Sequence, residues 1–161
     1  MNTNNYEFWF ITGSQFLYGE ETLLQVEKNS LLIVDGLNQS RKLPWKVIYK
    51  DTVKTNQGVI DLIKDANYSD KCAGIITFCH TFSPSKMWIN GLSMLQKPYL
   101  HFHTQFNKSI PNEEIDMDYM NLHQSAHGDR EHGFIGARMS ASRKVIVGYW
   151  EEEAVQERVG K

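Results

Sequence analysis

Short apolar runs of β character alternate along this chain with segments whose apolar residues recur every three or four positions, and that alternation leaves few folds open. The runs are Tyr6–Thr12, Lys46–Val53, Cys72–Phe78, Pro98–Thr104 and Lys144–Trp150. Between them, Leu23, Val26, Ile33 and Leu37 fall on one helical stripe, and Val59, Leu62, Ile63 and Ala66 on another. A third helix is expected from "FSPSK", with Ser83 as N-cap and Pro84 at the first helical position, where its missing N–H costs nothing. Its buried stripe would be Trp88, Gly91, Leu92 and Leu95. Past the polar segment "QFNKSIPNEEID", helical stretches are predicted over Met117–Ala126 and Arg130–Met139. A last helix is predicted in "EEEAVQERVGK", whose acidic start suits a helix N-terminus and whose end at Lys161 carries no cap, as if cut short. Strands and helices alternating at this spacing predict an α/β fold, a doubly wound parallel sheet of about five strands in a flavodoxin-like three-layer sandwich. The near-continuous apolar strands "CAGIITF" and "VIVGYW" fit positions covered on both faces.

At 161 residues the chain suits one domain with a real core. A net charge of -2 gives no electrostatic case for nucleic acid or an anionic membrane, and no apolar run is long enough to span a bilayer. The N-terminus lacks a basic segment followed by an apolar run, so a cytoplasmic setting is expected. Cys72 and Cys79 are separated by an odd number of positions along one predicted strand. They are therefore expected on opposite faces, as reduced, buried thiols.

In an open α/β sheet the working crevice lies beyond the carboxyl ends of the strands. The segments expected there are "GSQFLYG", the region after Val53, "CHTFSPSK" and "HTQFN". "GSQFLYG" matches neither phosphate-binding glycine pattern, and the bulk of Phe16 and Leu17 would keep a pyrophosphate off the backbone. All six histidines fall within one third of the chain. His101 and His103 share one face of a strand, and His123 and His127 stand one turn apart if their segment is helical, with Asp129 and Glu131 near in sequence. No third ligand is fixed by that spacing, so histidines hydrogen-bonded in or beside the core are the expected reading. Cys79 and His80 point apart on a strand and make no dyad, and Ser14 and Ser83 lack a nucleophile-elbow context. The carboxylates of "NEEIDMD" are expected to be solvated. The crevice edge thus carries polar and aromatic residues without a complete catalytic set.

These same segments resemble the N-terminal domain of bacterial L-arabinose isomerases. The likeness runs in order through "YEFWFITGSQFLYGEETL", "CAGIITFCHTFSPSKMWINGL", "KPYLHFHTQFN", "IDMDYMNLHQSAHGDREHGFIGARM" and "GYWEEEAVQERVG", covering essentially the whole chain as one N-terminal domain, 1–161. The resemblance implies an enzyme that converts L-arabinose to L-ribulose and, more slowly, D-galactose to D-tagatose. It further implies Mn2+ and a cytoplasmic hexamer of two stacked trimers. It places the metal ligands and acid–base glutamates in later domains, beyond residue 161, so the chain alone is expected to bind no catalytic metal and to be inactive. It also implies sugar-facing roles here for Gln15, Leu17 and Tyr18, for Phe82, and for Gln124 and His127. The alternative is a stand-alone sugar-binding or assembly module derived from that family.

Overall fold

The computed structural model describes residues 6–111 and 115–161. Among the described residues, five strands form one parallel sheet in the order β2-β1-β3-β4-β5, the flavodoxin-like order. They are β1 (Glu7–Gly13), β2 (Lys46–Val53), β3 (Cys72–Cys79), β4 (Tyr99–His103) and β5 (Lys144–Val147). The helices are α1 (Gly19–Ser40), α2 (Asn56–Tyr68), α3 (Ile89–Met94), α4 (Met117–Leu122), α5 (Ser125–Arg138) and α6 (Glu153–Gly160). The opening residues 1–5 and residues 112–114 of the expected polar, solvated segment lie outside the described residues.

Alternation along each strand sorts the apolar side chains between two cores. Phe10, Ile76, Phe78, Leu100, Phe102 and Ile146 pack against Ile33, Val34 and Leu37 of α1 and Val155 and Val159 of α6. On the other face, Trp9, Ile11, Ile75 and Tyr99 meet Val59, Ile63 and Ala66 of α2, with Trp88 and Leu92. Helix α2 starts where Thr55 accepts a hydrogen bond from the Gly58 N–H at 3.0 Å, an N-cap that satisfies one donor of the first turn.

Four local expectations give way to longer-range contacts. Ser83 is not an N-cap: it is fully buried and its Oγ accepts from the Trp88 indole N–H at 3.0 Å. Pro84 has an extended ψ of 114°, and a 3₁₀ turn, Ser85–Trp88, precedes α3. The last strand stops at Val147 instead of Trp150, because Gly148 (φ 145°) turns the chain and drops Trp150 into the core. That ring lies where a Cβ on Gly36 would stand, 2.4 Å away, so α1 can approach only as glycine there. The expected helices over Met117–Ala126 and Arg130–Met139 break instead at His123 and Gln124. The Leu122 carbonyl, which a continuing helix would use, accepts from His80 Nδ1–H at 2.9 Å. Finally, the pairing of β1 with β3 shifts register between Cys72 and Gly74, which reverses the expected parity. Cys72 joins the α2 core, and Cys79 lies against Gly128 of α5 on that same face. Both thiols are free, at opposite ends of β3.

Truncating Phe102, which is completely buried, removes contacts from both neighbouring layers of the α1–α6 core. Phe102→Ala is expected to cost about 3–5 kcal/mol in urea unfolding, against about 0.5 kcal/mol or less for the exposed Leu31→Ala. Similar midpoints for the two variants would contradict this assignment of the core.

Candidate functional site

The strand order reverses direction between β1 and β3, and the loops leaving those two strands flank the point where an α/β sheet opens a crevice. They are tied together one residue before the candidate side chains. Ser14 Oγ and Thr81 Oγ1 are both buried and hydrogen-bonded at 2.7 Å, which fixes the starts of Gln15 and Phe82 relative to each other. Ser14 N–H also donates to the Val53 carbonyl at 3.0 Å, holding the end of β2 to the same floor. Gly13 is needed here, since a Cβ would stand 2.5 Å from Ser83 Oγ and 2.9 Å from the Trp88 ring.

From this floor rises the "GSQFLYG" turn. Gln15 is extended and its amide donates to the Tyr18 hydroxyl at 3.3 Å, closing a short 3₁₀ turn, Phe16–Tyr18. Leu17 stands out to solvent at 82% exposure, and Gly19 (φ 78°) permits the sharp entry into α1. Across the crevice, Phe82 and His127 stack with ring centroids 4.4 Å apart and planes 26° from parallel. His127 is exposed and lies in the first turn of α5. Gln124 precedes that helix, and its carbonyl accepts from the His127 N–H at 3.2 Å. Gln15 with Tyr18, and Phe82 with His127 and Gln124, therefore form two groups at one edge. His123 and His127 do not share a helix: His123 ends α4 and packs on Tyr119, with ring centroids 4.4 Å apart.

Beneath the edge lies a buried polar layer that the chain order alone did not bring together. On the α1 face, His80 Nδ1–H donates to the Leu122 carbonyl, so its Nε2 accepts from the Asn29 amide at 2.8 Å, and Gln25 donates to Asn29. On the α5 face, His101 meets Thr77 at 2.9 Å and Asp129 at 2.7 Å, while His103 Nε2 stands 3.1 Å from the second Asp129 oxygen. His101 stacks on His132, centroids 4.2 Å apart. The sequence signal for this cluster was the His-x-His pair on one strand face; its partner Asp129 comes from a helix that only the fold places. Among the described residues, no three His, Cys, Asp or Glu side chains converge as metal ligands. An apolar groove of about 330 Å³ lies at the opposite, amino end of the sheet, lined by Phe8, Trp45, Tyr99 and Val159, away from these polar groups.

Burial sets the protonation of this layer. It pulls His80 down to about 4, His101 to about 3 and His132 well below the usual imidazole value, and pushes Asp129 up to about 8. The three histidines stay neutral in the folded chain while the unfolded chain takes up protons below about 6.5, so stability is lost as pH falls from there toward 4. Asp129 acts oppositely, since the folded form holds a proton that the unfolded form has released, and stability falls as pH rises from about 4 to 8. Three protons against one leave a net slope of about 3 kcal/mol per pH unit on the acid side. Urea unfolding is therefore expected to give maximum stability near neutrality with a steep acid limb. A flat profile between pH 5 and 6.5 would show that these groups are not buried neutral.

Comparison with known proteins bears on the same chain from a different direction. A family-wide profile described as "L-arabinose isomerase N-terminal domain" matches residues 2–161. The chain is 59% identical over 156 residues to an L-arabinose isomerase of Geobacillus stearothermophilus, covering 97% of this chain and 32% of the relative. It is 59% identical to L-arabinose isomerase 2 of Clostridium acetobutylicum, covering 95% of this chain and 31% of that protein. To the L-arabinose isomerase of Thermotoga petrophila it is 55% identical along its whole length, which is 32% of that protein. The chain thus spans about a third of the length of these relatives. Matched by that profile over residues 2–161 and by these relatives over nearly all of its length, the chain belongs to the family of L-arabinose isomerase N-terminal domains.

Proposed function

We propose that this chain forms the sugar-recognising N-terminal part of an aldose–ketose isomerase acting on L-arabinose. The observation that carries this reading is that Phe82, stacked on His127, and the Gln15–Tyr18 pair sit on the two loops that leave β3 and β1 at the sheet's switch point, tied by Ser14 and Thr81. A pentose presents C–H faces and a ring of hydroxyls, and such ligands are held by an apolar or aromatic wall with a few placed polar groups. Phe82 and Leu17 supply the wall and exclude water. Gln15, Tyr18 and Gln124 supply donors and acceptors for hydroxyls, and the exposed ring of His127 can hold or move a proton at a hydroxyl oxygen.

The metal-assisted chemistry of such an isomerase does not fit the residues of this chain. His80 and His101 spend both ring nitrogens on Asn29, Leu122, Thr77 and Asp129, His132 Nε2 is taken by Tyr99, and among the described residues no ligand triad converges. No step through Mn2+ is therefore assigned to this chain, and in this reading the metal and the acid–base carboxylates come from elsewhere in the longer protein. Assembly with other copies or domains is supported by the apolar side chains left on the surface of α1 and beside the crevice: Leu24, Leu31, Leu32, Phe16 and Leu17.

In a protein carrying this domain and the domains that follow it, His127→Ala is expected to lower kcat/KM by about 10- to 1,000-fold, the range for loss of a positioned hydrogen-bonding or proton-transfer group. Because the side chain is exposed, thermal stability should change little. Full activity in the variant, or simple unfolding, would return His127 to a structural role. Calorimetric titration of this 161-residue chain with Mn2+ is expected to show no tight site. Micromolar binding would overturn the assignment of the metal to other parts of the protein.

A further inference from the structure

The hydrogen bonds behind His103 run in one direction, and that direction can be read from a single hydroxyl. Thr77 donates its only hydroxyl proton to the Tyr99 oxygen at 3.3 Å. It must therefore accept at its other contact, from Nδ1–H of His101 at 2.9 Å. A neutral His101 with its proton on Nδ1 has a lone pair on Nε2, and that lone pair faces Asp129 Oδ1 at 2.7 Å. Two acceptors do not bond, so the proton between them sits on Asp129. The Tyr99 hydroxyl in turn donates to His132 Nε2, which leaves the His132 proton on Nδ1, an atom with no partner among the described residues.

The side chain of Asp129 is wholly buried, and its Oδ2 has no aligned donor. The group that stands against it is His103 Nε2, 3.1 Å away and off the line of a good bond. His103 ends β4, is 31% exposed, and makes no hydrogen bond through Nδ1 among the described residues. That strand end lies at the carboxyl edge of the sheet, beside the strand β3 from which the Phe82 loop leaves.

We propose that Asp129 is a positioning residue that carries a proton and aims the His103 ring, so that His103 adds a hydrogen-bond acceptor, Nδ1, to the sugar-facing edge. This rests on the sugar reading given above, and it names a residue that reading does not use. His103 presents Nε2 backward to Asp129 Oδ2 and Nδ1 forward, as the acceptor of a sugar hydroxyl proton. The groups facing the Asp129 carboxyl are His101 and His103 from β4, Cys79 from β3 and His132 from its own helix, with Tyr99 and Arg143 beyond them. Burial keeps His101 and His132 neutral and pushes the Asp129 acid up to about 8, with the neighbouring His103 acting in the opposite direction.

The test is nitrogen NMR of the histidine rings of the 161-residue chain near neutral pH, with L-arabinose as the probe. His101 and His132 are expected in the less common Nδ1–H form and His103 in the Nε2–H form. Asp129→Asn can still donate to His101 and accept from His103, so it should keep that pattern. Asp129→Leu cannot do either, and should lose the exchange protection of His103 Nε2–H. L-Arabinose should shift His103 Nδ1 in the parent and in D129N, and bind D129L or His103→Phe about three- to tenfold more weakly, the worth of one hydrogen bond. His101 protonated on Nε2 in the parent would mean that Asp129 is a carboxylate, and the proposal would fall even if D129L did not fold. D129N behaving as D129L would overturn it equally. If L-arabinose shifts His127 and the Phe82 ring but not His103, the inference fails while the sugar reading stands; if it shifts none of them, both fail.

Discussion

Strands β1 and β3 are covered on both faces, so every polar group at their carboxyl ends has to find its partner inside the protein. An unmatched buried donor or acceptor costs about 1–3 kcal/mol, enough to matter in a fold stabilised by only a few times that amount. The response is a continuous polar floor. Thr12 donates to Ser30, Ser14 pairs with Thr81, His80 is held between Asn29 and Leu122, and Ser83 receives the Trp88 indole. These bonds join β1, β3, α1, α4 and the turn before α3. The loops that leave the two strands consequently start from fixed points, and the side chains on them inherit that order.

Much of the fold could be read along the chain because it depends on local repetition. Val26, Ile33 and Leu37, and Val59, Ile63 and Ala66, are all buried as their three-and-four spacing implies, and β2 has the bounds its apolar run suggested. What could not be read was decided by residues far away. Ser83 has the chemistry of an N-cap, yet a buried indole claims its oxygen. The segment from Met117 has helical periodicity, yet His80 takes the carbonyl that would have carried the helix on. Cys72 and Cys79 follow strand parity only until the register shift beside Gly74. The candidate site divides in the same way. The crevice segments follow from the order of strands and loops, whereas the stacking of Phe82 on His127, and the meeting of His101 and His103 with Asp129, require α5 to be laid across the sheet.

The two faces of the sheet treat their histidines differently. On the α1 side His80 is a structural spacer, both nitrogens satisfied and its ring stacked near Phe106. On the α5 side the polar groups form a column that begins in the core at His132 and ends at the half-exposed ring of His103. Linked hydrogen bonds among its buried members restrict them to one arrangement, with Asp129 Oδ2 and His132 Nδ1 left without an aligned partner among the described residues. That rigidity suits a surface whose task, in the proposed reading, is to orient a small flexible polyol.

Gly128 gives the crevice one further property. A Cβ at this position would stand 3.1 Å from the Ser83 nitrogen and 3.2 Å from the Cys79 Cβ, tighter than ordinary contact. Alanine would suit the helix better by about 1 kcal/mol, so the glycine is tolerated against local preference. Its bare backbone acts as a shim of minimum thickness between α5 and the floor. Thickening that shim by one methyl group lifts the helix and carries His127 away from Phe82. Variation at this position among relatives is therefore a ruler for crevice width, and with it for the girth of the molecule admitted, rather than a record of helix stability.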